Sequence, residues 1–198
     1  MPLILPKPGY HELEEKKSKF LSRCAPVQTE QEAKIFIAET RALHKTASHN
    51  VFAYSVTENN IIRFNDDGEP GGTAGMPVLN VYQKTGIINF VCVVTRYFGG
   101  TLLGAGGLVR AYTKSAKGAL DDAGPEELVI SKLYRLTCAY PNLDRIKYEF
   151  AKGDIEILDW EYTDICSTVV RIREGQNDIL DHLSHFLLKP PDDFLLEP

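Results

Sequence analysis

Residues 87–112 decide the fold: Ile87-Ile88-Asn89-Phe90-Val91-Cys92-Val93-Val94-Thr95-Arg96-Tyr97-Phe98-Gly99-Gly100-Thr101-Leu102-Leu103-Gly104-Ala105-Gly106-Gly107-Leu108-Val109-Arg110-Ala111-Tyr112. The run 87–95 is almost continuously apolar, yet far short of the roughly 18–20 residues a spanning helix needs. It reads as a central strand buried on both faces. The glycines of 99–107 break any regular element. Beyond them Leu108, Val109, Tyr112, Ala116, Ala119 and Leu120 recur at helical spacing and predict a helix over 105–122. A buried strand that turns through glycines into an amphipathic helix belongs to a layered domain mixing helices and sheet.

Working upstream, Val78, Leu79 and Tyr82 predict a short helix over 76–84. Before it, residues 65–75 hold four glycines and a proline in eleven positions, which forces a loop. Residues 51–57 alternate, Glu58-Asn59-Asn60 is a turn signal, and 61–64 can return as a second strand. Thr29 and Glu32 fit a capping box, and Ala33, Phe36, Ile37, Thr40 and Leu43 line one face of a helix over 30–44. A strand over 19–27 follows a charged lead-in, 12–19. Downstream, Gly124-Pro125 marks a boundary, dividing the chain into 1–127 and 128–198.

The second part reads as a strand over 133–140, then a helix opened by Pro141-Asn142 with Leu143, Ile146 and Phe150 inward and a left-handed cap at Gly153. Strands over 155–163 and 166–173 follow. A helix over 175–188 comes next, with Ile179, Leu180, Leu183, Phe186 and Leu187 inward, then a last short strand over 193–196. The order β-α-β-β-α-β is the ferredoxin-like pattern, and the fold class is α+β.

Charge is unevenly placed. Residues 1–130 hold 14 Lys and Arg against 14 Asp and Glu, and 131–198 hold 8 against 13, which carries the whole net charge of −5. A bulk nucleic-acid footprint is therefore absent, and RNA binding would need a local basic patch. Cys24, Cys92, Cys138 and Cys166 are widely spaced, which excludes a zinc ribbon or a C-x-x-C redox pair and fits small buried side chains in a reducing compartment. The first ten residues lack the regions of a secretory signal. A cytoplasmic protein with no membrane partner is the expectation.

Two glycine-rich segments carry the candidate site. Asp66, Asp67, Gly68 and Glu69 put three carboxylates within four residues, open to a structural turn, a metal site or acid/base chemistry. The full EF-hand pattern is absent. Gly71, Gly72, Thr73, Ala74 and Gly75 then run into a helix, where converging backbone N–H groups favour an anion. The same physics applies to Gly99, Gly100, Gly104, Gly106 and Gly107, with tight backbone packing as the alternative for the glycines of both segments. Ala105-Gly106 stand where a Walker loop needs Lys and Ser/Thr, and G-x-G-x-x-G does not fit, so a conventional nucleotide fold is disfavoured. Arg96 and Arg110 can each fork onto phosphate or carboxylate, and Tyr97 and Phe98 can stack on a base. Alternatively the arginines pair with Asp66, Asp67 or Glu69. Ser48–His49 and Cys92–His49 are formal nucleophile pairs, though a capping role suits Ser48 and His49 better. His182 and His185 suit a solvated helix face. No metal or cofactor is expected.

These motifs resemble the YigZ/IMPACT family. The stretches that carry the resemblance are Ser48-His49-Asn50-Val51-Phe52-Ala53-Tyr54, Asp66 through Pro77, Val94 through Gly100, and Leu103 through Tyr112, with Lys17-Ser18-Lys19-Phe20 similar to the family's entry segment. The resemblance implies an N-terminal domain of the ribosomal-protein-S-five domain-two-like type. It also implies a C-terminal ferredoxin-like domain similar to the last domain of elongation factor G. Eukaryotic relatives of the first domain regulate translation through a protein partner. The expectation is a non-catalytic, translation-associated protein that binds RNA, a ribosome or another ribonucleoprotein surface. A small-molecule enzyme or anion-binding protein, and an adaptor for a translation-factor protein, are the alternatives.

Overall fold

The computed structural model describes residues 2–153, 155–175, 178–188 and 191–193. The chain divides into two compact units, Met1–Leu128 and Val129–Pro198.

In the first unit the elements run β1 (Leu3–Ile4), β2 (Gly9–Glu15), β3 (Ser18–Pro26), α1 (Glu30–Leu43), β4 (His49–Val56), β5 (Ile61–Asn65), α2 (Gly75–Thr85), β6 (Phe90–Tyr97), α3 (Ala105–Ala123) and β7 (Glu126–Glu127). Five strands form an antiparallel sheet in the order β2-β3-β6-β4-β5. β6 is central, as its apolar run predicts, and every residue from Phe90 to Arg96 is buried. Strand side chains alternate between faces. Val91 and Val93 meet α1 with Ala33, Ile37, Tyr54 and Val56. Phe90, Cys92 and Val94 meet α2 and α3 with Val78, Tyr82, Leu108, Tyr112 and Ala116. The next residue on that second face is Arg96, so the strand's own period aims its guanidinium into the core.

The segment read as a charged lead-in is strand β2. It is an edge strand, where charged side chains protect an unpaired edge, and only Gly9 and Leu13 are buried along it. Its hairpin to β3 turns on Lys16 and Lys17, with φ of 48° and 66°. Two successive positive φ values define a type I′ turn, a geometry usually signalled by Asn-Gly. α1 begins at Thr29, whose Oγ1 accepts from Glu32 N–H. The Glu32 carboxylate reaches Gln28 N–H at 2.7 Å, one residue earlier than a standard box. Two expected inward residues face solvent: Leu43 in the last turn of α1, and Val109, which lies off the Leu108–Ala111–Tyr112–Ser115 stripe of α3.

The second unit runs β8 (Ser131–Cys138), α4 (Leu143–Lys152), β9 (Glu156–Tyr162), β10 (Cys166–Arg173), α5 (Asp178–Leu183) and β11 (Asp192–Asp193). Its antiparallel sheet has the order β11-β8-β10-β9. Leu136, Ile146, Phe150, Val170, Ile172 and Leu183 form its core. Gly153 closes α4 at φ −88°, not in the left-handed region; instead it makes room for Ile179. The last helix is shorter than its periodicity suggests, passing at Ser184–Phe186 into a 3-10 turn. Of the strand expected over 193–196, residues 194–196 lie outside the described residues. All four cysteines are buried free thiols. Burial pushes the thiols of Cys24, Cys92 and Cys138 up, Cys138 to about 11, so they stay protonated and unreactive.

Candidate functional site

The three carboxylates of the 66–69 loop have three separate duties. Asp66 anchors α2. Its Oδ1 accepts from Ala74 N–H at 3.0 Å and Gly75 N–H at 2.7 Å, and its Oδ2 from Gly72 N–H at 2.9 Å. The anion predicted at this helix start is thus a side chain of the same loop. Thr73 closes the turn by donating its hydroxyl to Pro70 O at 2.6 Å. Replacing Asp66 with alanine is expected to cost about 1–3 kcal/mol, because three backbone donors lose their acceptor. Urea unfolding checks this, with Asp66→Asn, which keeps one acceptor oxygen, falling in between.

Asp67, at φ 47°, takes Arg41 at 2.9 Å and Asn50 N–H at 2.6 Å, while its carbonyl accepts from His49 Nδ1 at 2.8 Å. Glu69 turns inward instead, its side chain 3% exposed. Its Oε1 accepts from Arg96 at 2.6 Å and from Tyr112 Oη at 2.8 Å, with His49 Nε2 3.8 Å away. Burial, then the Glu69 charge, pushes the Tyr112 hydroxyl up, so it remains a donor. Of the contacts expected for Arg96, the structure shows the internal pair, made with Glu69.

Sheet register explains the company Arg96 keeps. Phe20 of β3 and His49 of β4 are its cross-strand partners. The guanidinium lies 5.4 Å from the Phe20 ring and 5.5 Å from the Phe98 ring. It also donates to Ser18 Oγ at 3.4 Å, and its Nε has no partner. Tyr97, one residue on, points to the other face and meets His44 Nδ1 at 2.9 Å; it is not part of the cleft. Phe98 is half exposed, its N–H held by Ser48 Oγ. That bond, and the bond of His49 to Asp67, leave Ser48 and His49 facing different partners rather than each other.

A pocket of about 360 Å³ opens between these groups and the start of α3. His49, Glu69 and Arg96 line it, with Pro70, Phe98, Leu102, Leu103 and Leu108 as apolar walls and Gly104 and Ala105 at one end. Gly99 is a packing residue against the Lys17 backbone, and Gly100 and Gly104 take φ of 81° and 72°. Arg110 does not enter the pocket. The helical period that buries Leu108, Ala111 and Tyr112 turns it outward. Gly106 lies beside it, and Gly107 packs on Leu103. Arg110 lines a second hollow, of about 210 Å³, with Leu13, Glu15, Lys16, Leu103, Gly107 and Lys114. The single cleft expected for Arg96, Arg110 and the three carboxylates is not formed: Arg96 and Glu69 line one hollow, Arg110 lines the adjoining one, Leu103 lines both, and Asp66 and Asp67 line neither. Among the described residues no three His, Cys, Asp or Glu side chains gather as a metal site.

Sequence reasoning left Lys16, Lys114 and Leu103 out of the candidate site, and weighed His49 as a cap or as half of a nucleophile pair rather than as a pocket residue. Placing His49 at the start of β4, opposite Arg96, would have found it. Lys16 depended on recognising a hairpin turn with no glycine or asparagine.

The first unit is thus an antiparallel sheet covered by helices on both faces, with its pocket built from two glycine-rich motifs. A family model described as the Impact N-terminal domain matches residues 16–120. The IMPACT family member YvyE of Bacillus subtilis is 41% identical over 157 residues, 79% of this chain and 72% of that one. YigZ of Escherichia coli, another IMPACT family member, is 36% identical over 150 residues, 74% of each chain. A crystal structure of a hypothetical protein superposes with a TM-score of 0.62 at 31% identity, covering 98% of this chain and 97% of that one. The chain belongs to the IMPACT family.

Proposed function

We propose that this protein is a cytoplasmic, non-catalytic, translation-associated regulator that binds RNA or a ribonucleoprotein surface through its first unit. One observation carries the reading. On one side of Leu103 lies a hollow with Lys16, Arg110 and Lys114, none of them paired with a carboxylate among the described residues. On the other side lies an apolar pocket rimmed by the exposed ring of Phe98. Cations that track phosphates beside an aromatic platform are what single-stranded RNA binding needs. Glu15 also lines the basic hollow, so three cations face one carboxylate there.

The resemblance of the glycine motifs to a family whose eukaryotic members regulate translation supports the biological setting. The architecture supports the finer fold assignments. The β-α-β-β-α-β order and the sheet order β11-β8-β10-β9 fit a ferredoxin-like second domain. We assign the first unit to the ribosomal-protein-S-five domain-two-like type on the motif resemblance.

The test is fluorescence anisotropy with mixed-sequence single-stranded RNA over a salt series, with ribosome cosedimentation beside it. Three phosphate contacts predict a log–log salt slope of about −2. The triple variant Lys16→Ala, Arg110→Ala, Lys114→Ala should bind at least about ten-fold more weakly with unchanged circular dichroism. Absence of salt-sensitive binding, or a triple variant that binds like wild type, refutes the proposal.

A further inference from the structure

We infer that the pocket beside Phe98 binds a small organic acid, a carboxylate on an apolar body. The inference goes beyond the RNA-binding reading, and its test is run without RNA so that the two fail separately. The start of α3 supplies the first observation. α2 has its anion built in, because Asp66 receives the N–H groups at and just before its start. α3 has none. Its N-cap is Gly104, which has no side chain to accept, and its first turn holds no acidic residue. Leu108 N–H donates to Gly104 O, and ahead of it the N–H groups of Ala105, Gly106 and Gly107 have no acceptor among the described residues. A helix start left open in this way carries roughly half a positive charge and favours an anion.

Arg96 supplies the second, independently of the helix. Its side chain is 5% exposed, and it lines the same pocket as Gly104 and Ala105. A guanidinium carries one N–H on Nε and two on each Nη. Nη1 spends one on Glu69 Oε1 and Nη2 spends one on Ser18 Oγ, while Nε is sealed without a partner. One N–H on each Nη is therefore left for a ligand. A carboxylate accepts such a forked pair with its two oxygens. Glu69 limits the charge of that ligand. It lines the pocket and balances Arg96, so the helix start is what offsets a further anion. One negative charge suits this site, whereas a doubly charged phosphate monoester would bring a second toward Glu69. The walls set the body of the ligand. Pro70, Phe98, Leu102, Leu103 and Leu108 are apolar, and a hollow of about 360 Å³ is on the scale of a small-molecule site.

Isothermal titration of the full-length protein compares phenylacetate and isocaproate with their neutral amides, phenylacetamide and isocaproamide. Each acid should bind about ten-fold or more tightly than its amide, the scale of a charge-assisted hydrogen bond over a neutral one. Ala105→Asp is the diagnostic variant. Ala105 is exposed at the first position of α3, where a carboxylate suits the helix, so the variant should fold like wild type. It sets an anion of the protein's own at that end of the pocket. Acid binding should then fall about ten-fold or more while amide affinity holds. Ala105→Asn, of the same shape without the charge, should bind the acids like wild type. Acetyl-glycyl-leucine carries the same carboxylate and a leucine body on a chain end. Tighter binding than isocaproate would identify a peptide terminus as the source of the acid, and weaker binding a free acid. Equal affinity for acid and amide, or an Ala105→Asp protein that binds the acids like wild type, overturns the site. Failure of both acids to bind wild type overturns it too. The RNA-binding reading stands or falls by its own salt series.

Discussion

Replacing Glu69 with alanine should destabilise the first unit by about 3–5 kcal/mol, a Tm fall on the order of 10–20 °C. The Arg96 guanidinium is buried, and its charge is balanced at 2.6 Å by one carboxylate. Removing that carboxylate leaves a positive charge between two phenyl rings, with Ser18 Oγ as its remaining acceptor. The Tyr112 hydroxyl loses its acceptor in the same step. Each loss is larger than the contact itself is worth, because an orphaned buried group still carries its full desolvation cost. By contrast, Asp67→Ala breaks an ion pair with Arg41 that is partly exposed, where solvent screens the charges. Its cost should come mainly from the Asn50 N–H left without its acceptor, and should be clearly smaller.

The compensating variant separates charge burial from simple loss of packing. Glu69→Leu, Arg96→Met and Tyr112→Phe together remove both charges and the orphan hydroxyl while keeping most of the volume. Buried ion pairs replaced by apolar groups of similar size are often neutral in stability. The triple variant should therefore recover most of what Glu69→Ala loses, measured as the urea midpoint at constant slope. If it is no more stable than Glu69→Ala, then packing around the Glu69 loop, and not the orphaned charge, sets the cost.

The legibility of this fold followed the strength of local periodicity. β6, the loop after it and α3 were readable because a continuous apolar run, a glycine cluster and a helical stripe leave few other arrangements. α1 was readable from Thr29 and Glu32, and the β4–β5 hairpin from Glu58-Asn59-Asn60. β2 was hidden because an edge strand carries charge on purpose, so Glu12, Glu14 and Glu15 mask an alternation marked only by Gly9 and Leu13. Its turn was hidden because Lys16 and Lys17 hold positive φ against their preference. The site was legible as a set of motifs and not as a geometry. Which carboxylate meets Arg96 depends on how an irregular loop folds back, and nothing periodic encodes that. The direction of Arg96 itself was available, since Phe90, Cys92, Val94 and Arg96 stand two apart.

The glycines of the two motifs divide by what a side chain would strike, and substitution should expose the division. A Cβ on Gly99 would stand 2.0 Å from Lys17 C, 2.1 Å from Lys17 O and 2.5 Å from Ser18 N. All three are backbone atoms of the β2–β3 turn, so no rotamer change relieves the clash. The turn has to move, and Ser18 Oγ, which accepts from both Gly99 N–H and Arg96, moves with it. Gly99→Ala should therefore cost about 1–3 kcal/mol or more, the range for forced overpacking. Because the same turn carries Lys16 into the basic hollow, RNA affinity should fall as well. Gly71, in the other motif, has nothing within 4 Å of its would-be Cβ and no positive φ. Gly71→Ala should lie within about 0.5 kcal/mol of wild type. Urea unfolding and RNA anisotropy on the two variants measure this directly. A Gly99→Ala protein as stable as Gly71→Ala would mean that the turn yields freely. The position of Lys16 would then no longer be fixed by the packing of its neighbour Lys17 on Gly99, and the basic hollow would lose its structural rationale.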